Sequence, residues 1–305
     1  MPALASGLDY VDLNFLGRSQ IIATAILHGP AGVALVDPGP STTLGTLTTA
    51  LQQKGIRFDD VRQLLITHIH LDHAGATGTI LERYPHIRVT VHERGAPHLA
   101  DPSKLLSSAS RLYGTDMDRL WGEVKPVPAA NLDVVKGGET ITVLGREIAI
   151  AYTPGHASHH VSYLDTASRV AFVGDTAGIL RGSAKYVMPP TPPPDIDIEA
   201  WHVSADRILG WDPDTLFLTH FGPHRGARQH FPAMFENLGE WSGIVRRLLA
   251  DASLSDEDRQ RRFVDQALLE LKRRVGEGEA DSYVRAGGLN YSYQGLSRYW
   301  RKRHG

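Results

Sequence analysis

Residues 64–75 read LLITHIHLDHAG, an apolar run that ends in three histidines and an aspartate. The apolar run fits a strand in the middle of a sheet, where both faces are covered. Burying four ionisable side chains together costs several kcal/mol unless a cation compensates for them. The stretch therefore predicts a metal site at the end of a buried strand.

The spacing within this stretch assigns its polar side chains to two adjacent positions. His68 and His70 are two residues apart at the end of the predicted strand, so both imidazoles point to one face and reach one ion. Asp72 and His73 follow where the chain turns into a helical pattern, and we expect them at a second position beside the first. Gly75 permits a tight turn and a close backbone approach there.

Composition limits the ligands and the partners of such a site. The chain of 305 residues contains no cysteine, which excludes disulfides, thiolate ligands and cysteine nucleophiles, so nitrogen and oxygen must hold any metal. A formal net charge of −2 and a pI near 6.7 provide no global field that attracts nucleic acid or an anionic membrane. We expect a small-molecule substrate, neutral or anionic, and no nucleic-acid or membrane partner.

The N-terminus favours a cytoplasmic protein. It lacks a basic segment followed by an apolar one, as a secretory signal would have, and aspartates interrupt it early. The chain also lacks a run of about 18 apolar residues that would cross a membrane.

Short β-like runs alternate with helical patterns over the first 225 residues, which indicates an α/β or α+β sheet protein. Two pairs of these runs are similar to each other, LLITH to LFLTH and VALVDPG to VAFVGDT. This similarity indicates either a fold of two similar halves whose strand ends meet, or chance similarity among valine-rich strands. The eight predicted strands are 21–27, 33–37, 62–68, 87–92, 139–145, 147–153, 169–175 and 215–220.

Two segments between strands are predicted to be either spacers or walls of a substrate pocket. Residues 101–130 have the pattern of a helical insertion, with Tyr113 and Trp121 as its large apolar groups. Residues 187–195, VMPPTPPPD, are predicted to form a stiff exposed loop, because proline lacks a backbone donor and fixes φ. As a pocket wall, this loop would extend over 183–195.

The β pattern disappears after residue 228, and apolar residues then recur at helical spacing. One helix is predicted around Trp241 and another after a cap at Ser255. The chain ends in LNYSYQGLSRYWRKRHG, which we interpret as a packed helix with solvated charges rather than a nucleic-acid or membrane-binding end. The spare apolar faces of these helices are compatible with a homodimer.

Three further motifs extend the histidine pattern along the chain. TPGHASHH supplies His156, FVGDTAG supplies Asp175 nineteen residues later, and LFLTHFGPH supplies His220. Together with the H-x-H-x-D-H of residues 68–73, they resemble the metallo-β-lactamase superfamily. The resemblance covers roughly residues 10–225, and LVDPG at 35–39 is similar to the family's early strand-end motif.

This resemblance implies a four-layer αβ/βα sandwich with a helical C-terminal extension. The expected division is a metallo-β-lactamase-like catalytic domain over residues 1–227 and a helical extension packed on it over 228–305. The resemblance also implies two divalent metal ions, with zinc expected and iron or manganese left open. The implied ligands are His68, His70 and His156 for one ion, Asp72, His73 and His220 for the other, and Asp175 as the bridge.

Two such cations would lower the pKa of a shared water toward about 7 and polarise the bond under attack, so no protein nucleophile is needed. We expect the resulting hydroxide to attack a carbonyl or phosphoryl centre. Asp72 is predicted to orient the water or accept its proton. His224, four residues after His220, is predicted to line the pocket and to donate a proton to the leaving group.

Other polar residues near these motifs are expected to support the ligands. His159 and His160 are interpreted as groups behind the ligands or as polar strand residues. Asp37 either fixes a ligand histidine or caps the turn that follows it.

Within the superfamily, the resemblance favours glyoxalase II-like thioesterases and lactonases. β-Lactamases generally lack the bridging aspartate, nucleases of the family carry basic surfaces or extra domains, and the flavin-associated di-iron branch has glutamate where this chain has His70. The basic residues that grip glutathione in the thioesterases have no clear counterpart here. Acyl-homoserine lactonases typically place a tyrosine shortly after the bridging aspartate, whereas Thr-Ala-Gly follows Asp175 here, and Tyr186 is the candidate for the same space.

The sequence therefore predicts a dinuclear metal hydrolase that cleaves a small ester, lactone or thioester. One alternative is a mononuclear iron dioxygenase of the persulfide type, which would use His68, His156 and Asp175. A β-lactamase or phosphodiesterase is less favoured. A non-catalytic metal-stabilised binding module is the remaining alternative, although such a module would usually have lost a ligand and this chain has the full set.

Overall fold

The computed structural model describes residues 4–182 and 186–304 of the chain. Its first sheet contains six strands that pair in chain order. The first three strands pair antiparallel, and the remaining pairs are parallel. The strands are β1 (Leu8–Asp12), β2 (Ala23–Gly29), β3 (Gly32–Val36), β4 (Val61–Leu65), β5 (Arg88–His92) and β6 (Leu132–Val135).

The second half of the fold contributes eight strands, six of which form the second sheet. In chain order they are β7 (Thr140–Val143), β8 (Arg146–Tyr152), β9 (Val161–Asp165), β10 (Val170–Phe172), β11 (Ile179–Leu180), β12 (Val187–Met188), β13 (Thr215–Leu218) and β14 (Gly222–His224). The sheet order is β14-β13-β10-β9-β8-β7, and β11 and β12 form a separate ribbon. The pairs of this sheet are antiparallel except for β10 with β13, which is parallel.

Helices cover the outer face of each sheet. They are α1 (Leu44–Gln53), α2 (Leu71–Ala74), α3 (Thr77–Arg83), α4 (Ala96–Ala100), α5 (Ser103–Tyr113), α6 (Met117–Leu120), α7 (Ile198–Gly210), α8 (Ala227–Ala250), α9 (Asp256–Val275), α10 (Glu277–Gly287) and α11 (Leu289–His304). None of the helices in the described ranges is long and apolar enough to cross a membrane.

Three hydrophobic clusters show how the layers stack. In β4, Leu65 faces a cluster between the two sheets, and its neighbour Leu64 faces an outer cluster with Leu47 of α1. This alternation follows from the two-residue period of a strand. A third cluster joins the outer face of the second sheet to Trp201 of α7 and to α8–α11. The order is helices, sheet, sheet and helices, which confirms the predicted four-layer αβ/βα sandwich.

The structure corrects the predicted end of β4. The strand was expected to run through His68, but it ends at Leu65. The backbone N–H of Thr67 donates to the carboxylate of Asp37 at 2.9 Å, and the carbonyl of Thr67 accepts from Val161 of the second sheet at 2.8 Å. The backbone thus leaves the ladder, and both His68 and His70 lie in a loop rather than on one face of a strand.

Six strands were not predicted because they are short or their alternation is weak: β1, β6, β9, β11, β12 and β14. β9 directly follows the two histidines at 159 and 160 and is buried along its whole length. The sequence VSYLD therefore lacks the polar alternation of a half-exposed strand.

The insertion between β5 and β6 is helical as predicted, because it contains α5, a 3₁₀ turn and α6. The proline-rich loop differs from the prediction. Residues 187–191 are buried rather than exposed, because α8 packs against Val187 and Met188 and α11 packs against Thr191. A Cβ added at Gly295 would lie 2.0 Å from the carbonyl oxygen of Thr191, so backbone meets backbone at this contact. Residues 183–185 of the predicted pocket loop lie outside the described residues.

The C-terminal region is helical, as predicted, and the expected cap at Ser255 is present. The Ser255 hydroxyl accepts a hydrogen bond from the backbone N–H of Asp258 at 3.1 Å, in the geometry of an N-cap. Side chains of α8–α11, among them Trp241, Phe263 and Tyr293, share one hydrophobic cluster with the second sheet. The division into two domains at residue 227 stays a prediction.

Candidate metal centre

Loops at the carboxyl ends of strands from both sheets bring all seven predicted donors to one place. His68 and His70 lie in the loop after β4, Asp72 and His73 lie on α2, and His156, Asp175 and His220 follow β8, β10 and β13. Their ligand atoms form three groups within which every pair lies within 4.8 Å: His68, His70 and His156; His68, His73 and Asp175; and Asp72, His73 and His220.

Asp175 stands between two of these groups, with one carboxylate oxygen facing each. Its Oδ2 lies 3.3 Å from Nε2 of His156. Its Oδ1 lies 3.1 Å from Nε2 of His73 and 3.4 Å from Nε2 of His220. A carboxylate in this position can contact two cations at once.

The donors on either side of Asp175 are also close to one another. Nδ1 of His70 lies 2.9 Å from Nε2 of His68 and 3.0 Å from Nε2 of His156. On the other side, Oδ2 of Asp72 lies 3.4 Å from Nε2 of His220. Nitrogen and oxygen atoms at such distances can share one cation of the kind that imidazole and carboxylate prefer.

Hydrogen bonds behind the imidazoles set the ring nitrogen that faces the centre. Nδ1 of His156 donates to the carbonyl of Pro190 at 2.9 Å, and Nδ1 of His220 donates to the carbonyl of Ile21 at 2.6 Å. Because each outward nitrogen carries the proton, each Nε2 presents a lone pair inward. This is the tautomer that a metal ligand requires.

Two buried atoms at the centre lack a hydrogen-bond partner within the described part of the chain. They are Nε2 of His73 and Oδ1 of Asp175, which face each other at 3.1 Å without a hydrogen bond between them. Leaving buried polar atoms unpaired costs free energy, and a cation between them would satisfy both. These residues therefore fit a metal site.

The charges around His73 also favour a cation. Burial lowers the pKa of His73, but Asp175, Asp72 and Asp37 outweigh burial and raise this pKa well above its usual value. The surrounding carboxylates thus stabilise positive charge, and a metal ion supplies more of it than a proton does. On the other side, burial lowers the pKa of His70 to about 4, which keeps that imidazole neutral for a metal.

Asp37, at the end of β3, fixes the loops from which the donors come. Its Oδ2 lies 2.8 Å from Nδ1 of His73 and accepts hydrogen bonds from the hydroxyls of Thr67 at 2.7 Å and Thr219 at 2.9 Å. The carboxylate is fully buried. Of the two roles considered for Asp37, the structure supports the one that orients a ligand histidine.

His159 and His160 lie behind the donors. The ring of His160 stacks on that of His68 with centroids 4.8 Å apart, and its Nε2 accepts from the backbone N–H of Asp175 at 3.3 Å. Nδ1 of His159 accepts from the backbone N–H of Ile69 at 3.4 Å. Both histidines support the loops that carry the donors, as expected.

The family model of the metallo-beta-lactamase superfamily matches residues 17–220, a range that contains all seven donors. The chain belongs to this superfamily.

Similar proteins agree with this membership of the metallo-beta-lactamase superfamily. The metallo-beta-lactamase fold-containing protein ST1585 of Sulfurisphaera tokodaii is 27% identical over 220 residues, which are 71% of this chain and 78% of that protein. A hydroxyacylglutathione hydrolase of a Synechococcus species is 28% identical over 153 residues, 50% of this chain. The match covers 47% of that hydrolase, so this chain spans about half of its length.

A solved structure shows the same fold over nearly the whole chain. The metallo-beta-lactamase family protein TTHA1429 from Thermus thermophilus superposes with a TM-score of 0.70 at 23% identity, covering 99% of this chain and 95% of that one. The superposition therefore includes the C-terminal helices as well as the superfamily's two sheets.

In this protein, a cavity of about 790 Å³ opens onto the metal donors. Its lining includes His70, Asp72, His156, Asp175 and His220. The walls come from the helical insertion, the proline-rich loop and the C-terminal helices. Of the two roles predicted for the insertion and the proline loop, the structure supports that of a pocket wall.

Two residues that were placed at the pocket by sequence lie elsewhere. His224 belongs to β14, its ring packs 4.8 Å from that of His230, and it is not among the described residues that line the cavity. It points away because β14 pairs with β13 in the sheet rather than continuing the loop of His220. Tyr186 is buried under α10, 5.8 Å from the ring of Tyr283, and does not reach the space after Asp175.

Sequence reasoning missed the role of Thr67 and Thr219, although their signal was present. Each threonine directly precedes a donor histidine in the two similar motifs LLITH and LFLTH. Both hydroxyls donate to the same oxygen of Asp37. The similarity of the two motifs thus corresponds to a shared contact, one threonine from each sheet.

Proposed function

We propose that this protein is a dinuclear metal-dependent hydrolase that cleaves a small carboxylic ester, lactone or thioester. The observation that carries the proposal is the position of Asp175, whose two oxygens face two separate groups of histidine and aspartate donors. A single-metal enzyme needs only one of these groups. The mononuclear dioxygenase would leave Asp72 and His220 without a role.

The residues that would hold the metals are those of the two predicted sets, with zinc as the expected metal. When bound, two such ions supply a water of lowered pKa and polarise the carbonyl under attack. The donors on α2 and in the loops after β4, β8, β10 and β13 hold this centre beside the cavity.

Asp72 is the residue we assign to the attacking water. Its side chain lines the cavity and is 25% exposed, whereas the side chain of Asp175 is 5% exposed. Asp72 can therefore accept a hydrogen bond from water in the cavity and orient that water toward the acyl carbon. In the reaction, the water oxygen bonds to the acyl carbon, the acyl bond to oxygen or sulfur breaks, and the water proton passes to the leaving group.

The substrate classes follow from the relatives and from the cavity. Matches to hydroxyacylglutathione hydrolases support a thioester, and the match to a probable metallo-hydrolase of Bacillus subtilis, 24% identical over 220 residues, supports a metallo-hydrolase more generally. The cavity of about 790 Å³ is large enough for such a small-molecule substrate.

The test is to measure metal content and turnover on the same preparation, purified without chelator. We expect about two metal ions per chain and hydrolysis of at least one of a lactone, a phenyl ester and a glutathione thioester. The His68→Ala variant should lose metal and activity, whereas the His28→Ala control, on β2 outside the cavity, should keep both. One iron per chain with oxygen consumption and no hydrolysis would replace the hydrolase by the dioxygenase.

The remaining expectations stay predictions. They are the cytoplasmic location, the homodimer, the lack of nucleic-acid and membrane partners, and the choice of zinc over iron or manganese.

A further inference from the structure

One face of α5 runs along the cavity from end to end. The lining residues of this helix are Lys104, Leu105, Ser108, Ala109, Leu112 and Tyr113. Successive members of this set are one or three residues apart in alternation, which places them on a single helical face. Lys104 and Tyr113 are nine residues apart, so about 13 Å of helix axis separates the first from the last.

An aromatic wall lies at the end of α5 that carries Tyr113. We define it as Phe15, Trp121, Tyr113 and Tyr291, all of which line the cavity. The rings contact in sequence, Phe15 to Trp121 at 5.7 Å, Trp121 to Tyr113 at 5.0 Å and Tyr113 to Tyr291 at 5.1 Å between centroids. A flat apolar group packs well on such a surface.

The aromatic wall and the metal donors Asp72, Asp175 and His220 line the same cavity. Burial raises the pKa of Tyr113, and the negative charges of Asp72 and Asp175 raise it further. A substrate group that packs on Tyr113 therefore shares the cavity with the bond that reacts.

A basic end lies at the opposite end of α5. We define it as Arg94, His98 and Lys104, which also line the cavity. Within residues 4–182 and 186–304, neither the Arg94 guanidinium nor the Lys104 ammonium has a carboxylate within 4.0 Å. The guanidinium of Arg94 instead lies over the ring of Tyr152, 5.7 Å from its centroid.

Nearby acids offset the charge of the basic end only in part, and one of them is Asp101, which interacts electrostatically with Lys104 and His98. Beyond the metal donors, the described lining includes two aspartates. Asp116 is paired with Arg119 at 2.9 Å, whereas Asp195 accepts a hydrogen bond from the neutral Ser158 hydroxyl at 2.5 Å and keeps its charge in the cavity. The whole chain carries a net charge of −2, so the positive basic end is a local feature rather than a result of composition.

We propose that the cavity selects substrates that carry an apolar, preferably aromatic, group on one side of the scissile acyl bond and an anionic group on the other. The apolar group packs on the aromatic wall, and a carboxylate or phosphate pairs with Arg94 and Lys104. This inference rests on the proposed hydrolase and names the substrate class of the same site.

The charge preference is tested with matched thioesters on the metal-loaded enzyme. Phenylacetyl thioesters of 3-mercaptopropionate, of 2-mercaptoethyl phosphate and of neutral N-acetylcysteamine vary the charge on the thiol. Benzyl thioesters of glutaric acid and of its monomethyl ester vary it on the acyl group. We expect kcat/KM to favour an anionic member about tenfold in one of the two orientations, and added salt to reduce this preference.

Variants of the basic end test whether Arg94 and Lys104 cause the preference for an anionic substrate. In the Arg94→Gln/Lys104→Gln double variant, the ratio of kcat/KM for anionic over neutral substrate should fall toward one, mainly through KM. The control is Arg83→Gln/Lys302→Gln, which removes the same two charge types from exposed positions outside the cavity. This control should keep the wild-type ratio. A carboxylate substrate and a phosphate substrate that respond differently would identify the anion.

The aromatic wall is tested by the acyl group alone. Wild-type enzyme should prefer a phenylacetyl over an acetyl thioester of the same thiol, and Tyr291→Ala should reduce that preference about fivefold. Tyr291→Phe keeps the ring and should restore it, which separates packing from misfolding.

The outcomes distinguish this inference from the proposed function. Metal-loaded enzyme that cleaves none of these thioesters, nor the lactone and ester above, would overturn both. Cleavage of the neutral and anionic members at equal rates, or a ratio unchanged in the Arg94 and Lys104 double variant, would overturn the substrate class and leave the hydrolase in place.

Discussion

The metal centre and the aromatic wall lie on the same cavity, but different contacts hold them. In the metal centre, a hydrogen bond fixes the outward nitrogen of each of three donors: His73 to Asp37 at 2.8 Å, His156 to Pro190 at 2.9 Å and His220 to Ile21 at 2.6 Å. In the aromatic wall, rings from three distant parts of the chain meet at centroid distances of 5.0 to 5.7 Å.

Because different contacts hold the two regions, we expect them to respond differently to mutation. Buried polar networks have few alternative arrangements, so losing one partner leaves others unsatisfied. Apolar contacts are non-directional and can repack at moderate cost. We therefore expect single substitutions in the metal centre to act in large steps, and substitutions in the wall to have graded effects on substrate choice.

The largest effect is expected at the bridge between the two donor groups. Asp175→Asn keeps the shape of the side chain but removes the charge that faces His73, His156 and His220. We expect kcat/KM to fall by at least about 10³-fold and the metal content to drop below two per chain. Elemental analysis and steady-state kinetics measure this, with Asp265→Asn on the exposed side of α9 as control. Full activity in Asp175→Asn would contradict the dinuclear centre.

A second large effect is expected at Asp37, which contacts the donor His73 and the loops that carry the donors. Asp37→Asn replaces an acceptor of four hydrogen bonds, from the backbone and hydroxyl of Thr67, the hydroxyl of Thr219 and the ring of His73, by an amide whose NH₂ would face some of these donors. We expect metal affinity to fall about 10–100-fold. The free energy of unfolding should fall by about 2–4 kcal/mol.

Competition with a chelator and urea denaturation measure these two quantities. Thr219→Val is the graded comparison, because it removes one donor to Asp37 and should cost about 1 kcal/mol. Equal effects of Asp37→Asn and Thr219→Val would argue against a network centred on Asp37.

The sequence predicts the metal donors better than it predicts the contacts between distant parts of the chain. The metal donors were predictable because they lie in short motifs, and H-x-H-x-D-H alone places four side chains within six residues. The four-layer fold followed from the resemblance that these motifs carry. The end of β4 was not predictable, because Asp37, thirty residues away, captures the backbone of Thr67.

The cavity wall was harder to predict for a related reason. Phe15, Tyr113, Trp121 and Tyr291 are spread over 277 positions of the chain, and no local pattern states that their rings meet. The rule that prolines at 189–194 prevent a helix was correct. The burial of residues 187–191 depends on contacts with α8 and α11, which is a property of the fold rather than of that segment.

A moderate effect is expected where α11 contacts the proline-rich loop, because this loop also holds the metal donor His156. A Cβ at Gly295 would meet the carbonyl of Thr191, the residue after Pro190, whose own carbonyl accepts from His156. Gly295→Ala should lower the free energy of unfolding by about 1–3 kcal/mol and reduce kcat/KM several-fold.

The matched control is Gly239→Ala in α8, where an added Cβ would meet nothing within 4 Å. It should raise the free energy of unfolding by about 0.5–1 kcal/mol, since alanine favours a helix over glycine. Thermal unfolding of both variants checks the pair. A stabilised Gly295→Ala protein would show that α11 does not press on the proline loop.

The smallest effect is expected at His224, which lies outside both regions. Its ring contacts His230 rather than the cavity, so it has no route by which to donate a proton to a leaving group. His224→Ala should therefore change kcat/KM by less than about twofold and lower the free energy of unfolding by about 1 kcal/mol at most. The measurement is a pH–rate profile of the variant beside that of the wild type. A profile that loses its alkaline limb, with kcat reduced about tenfold or more, would mean that β14 moves toward the donors when substrate binds.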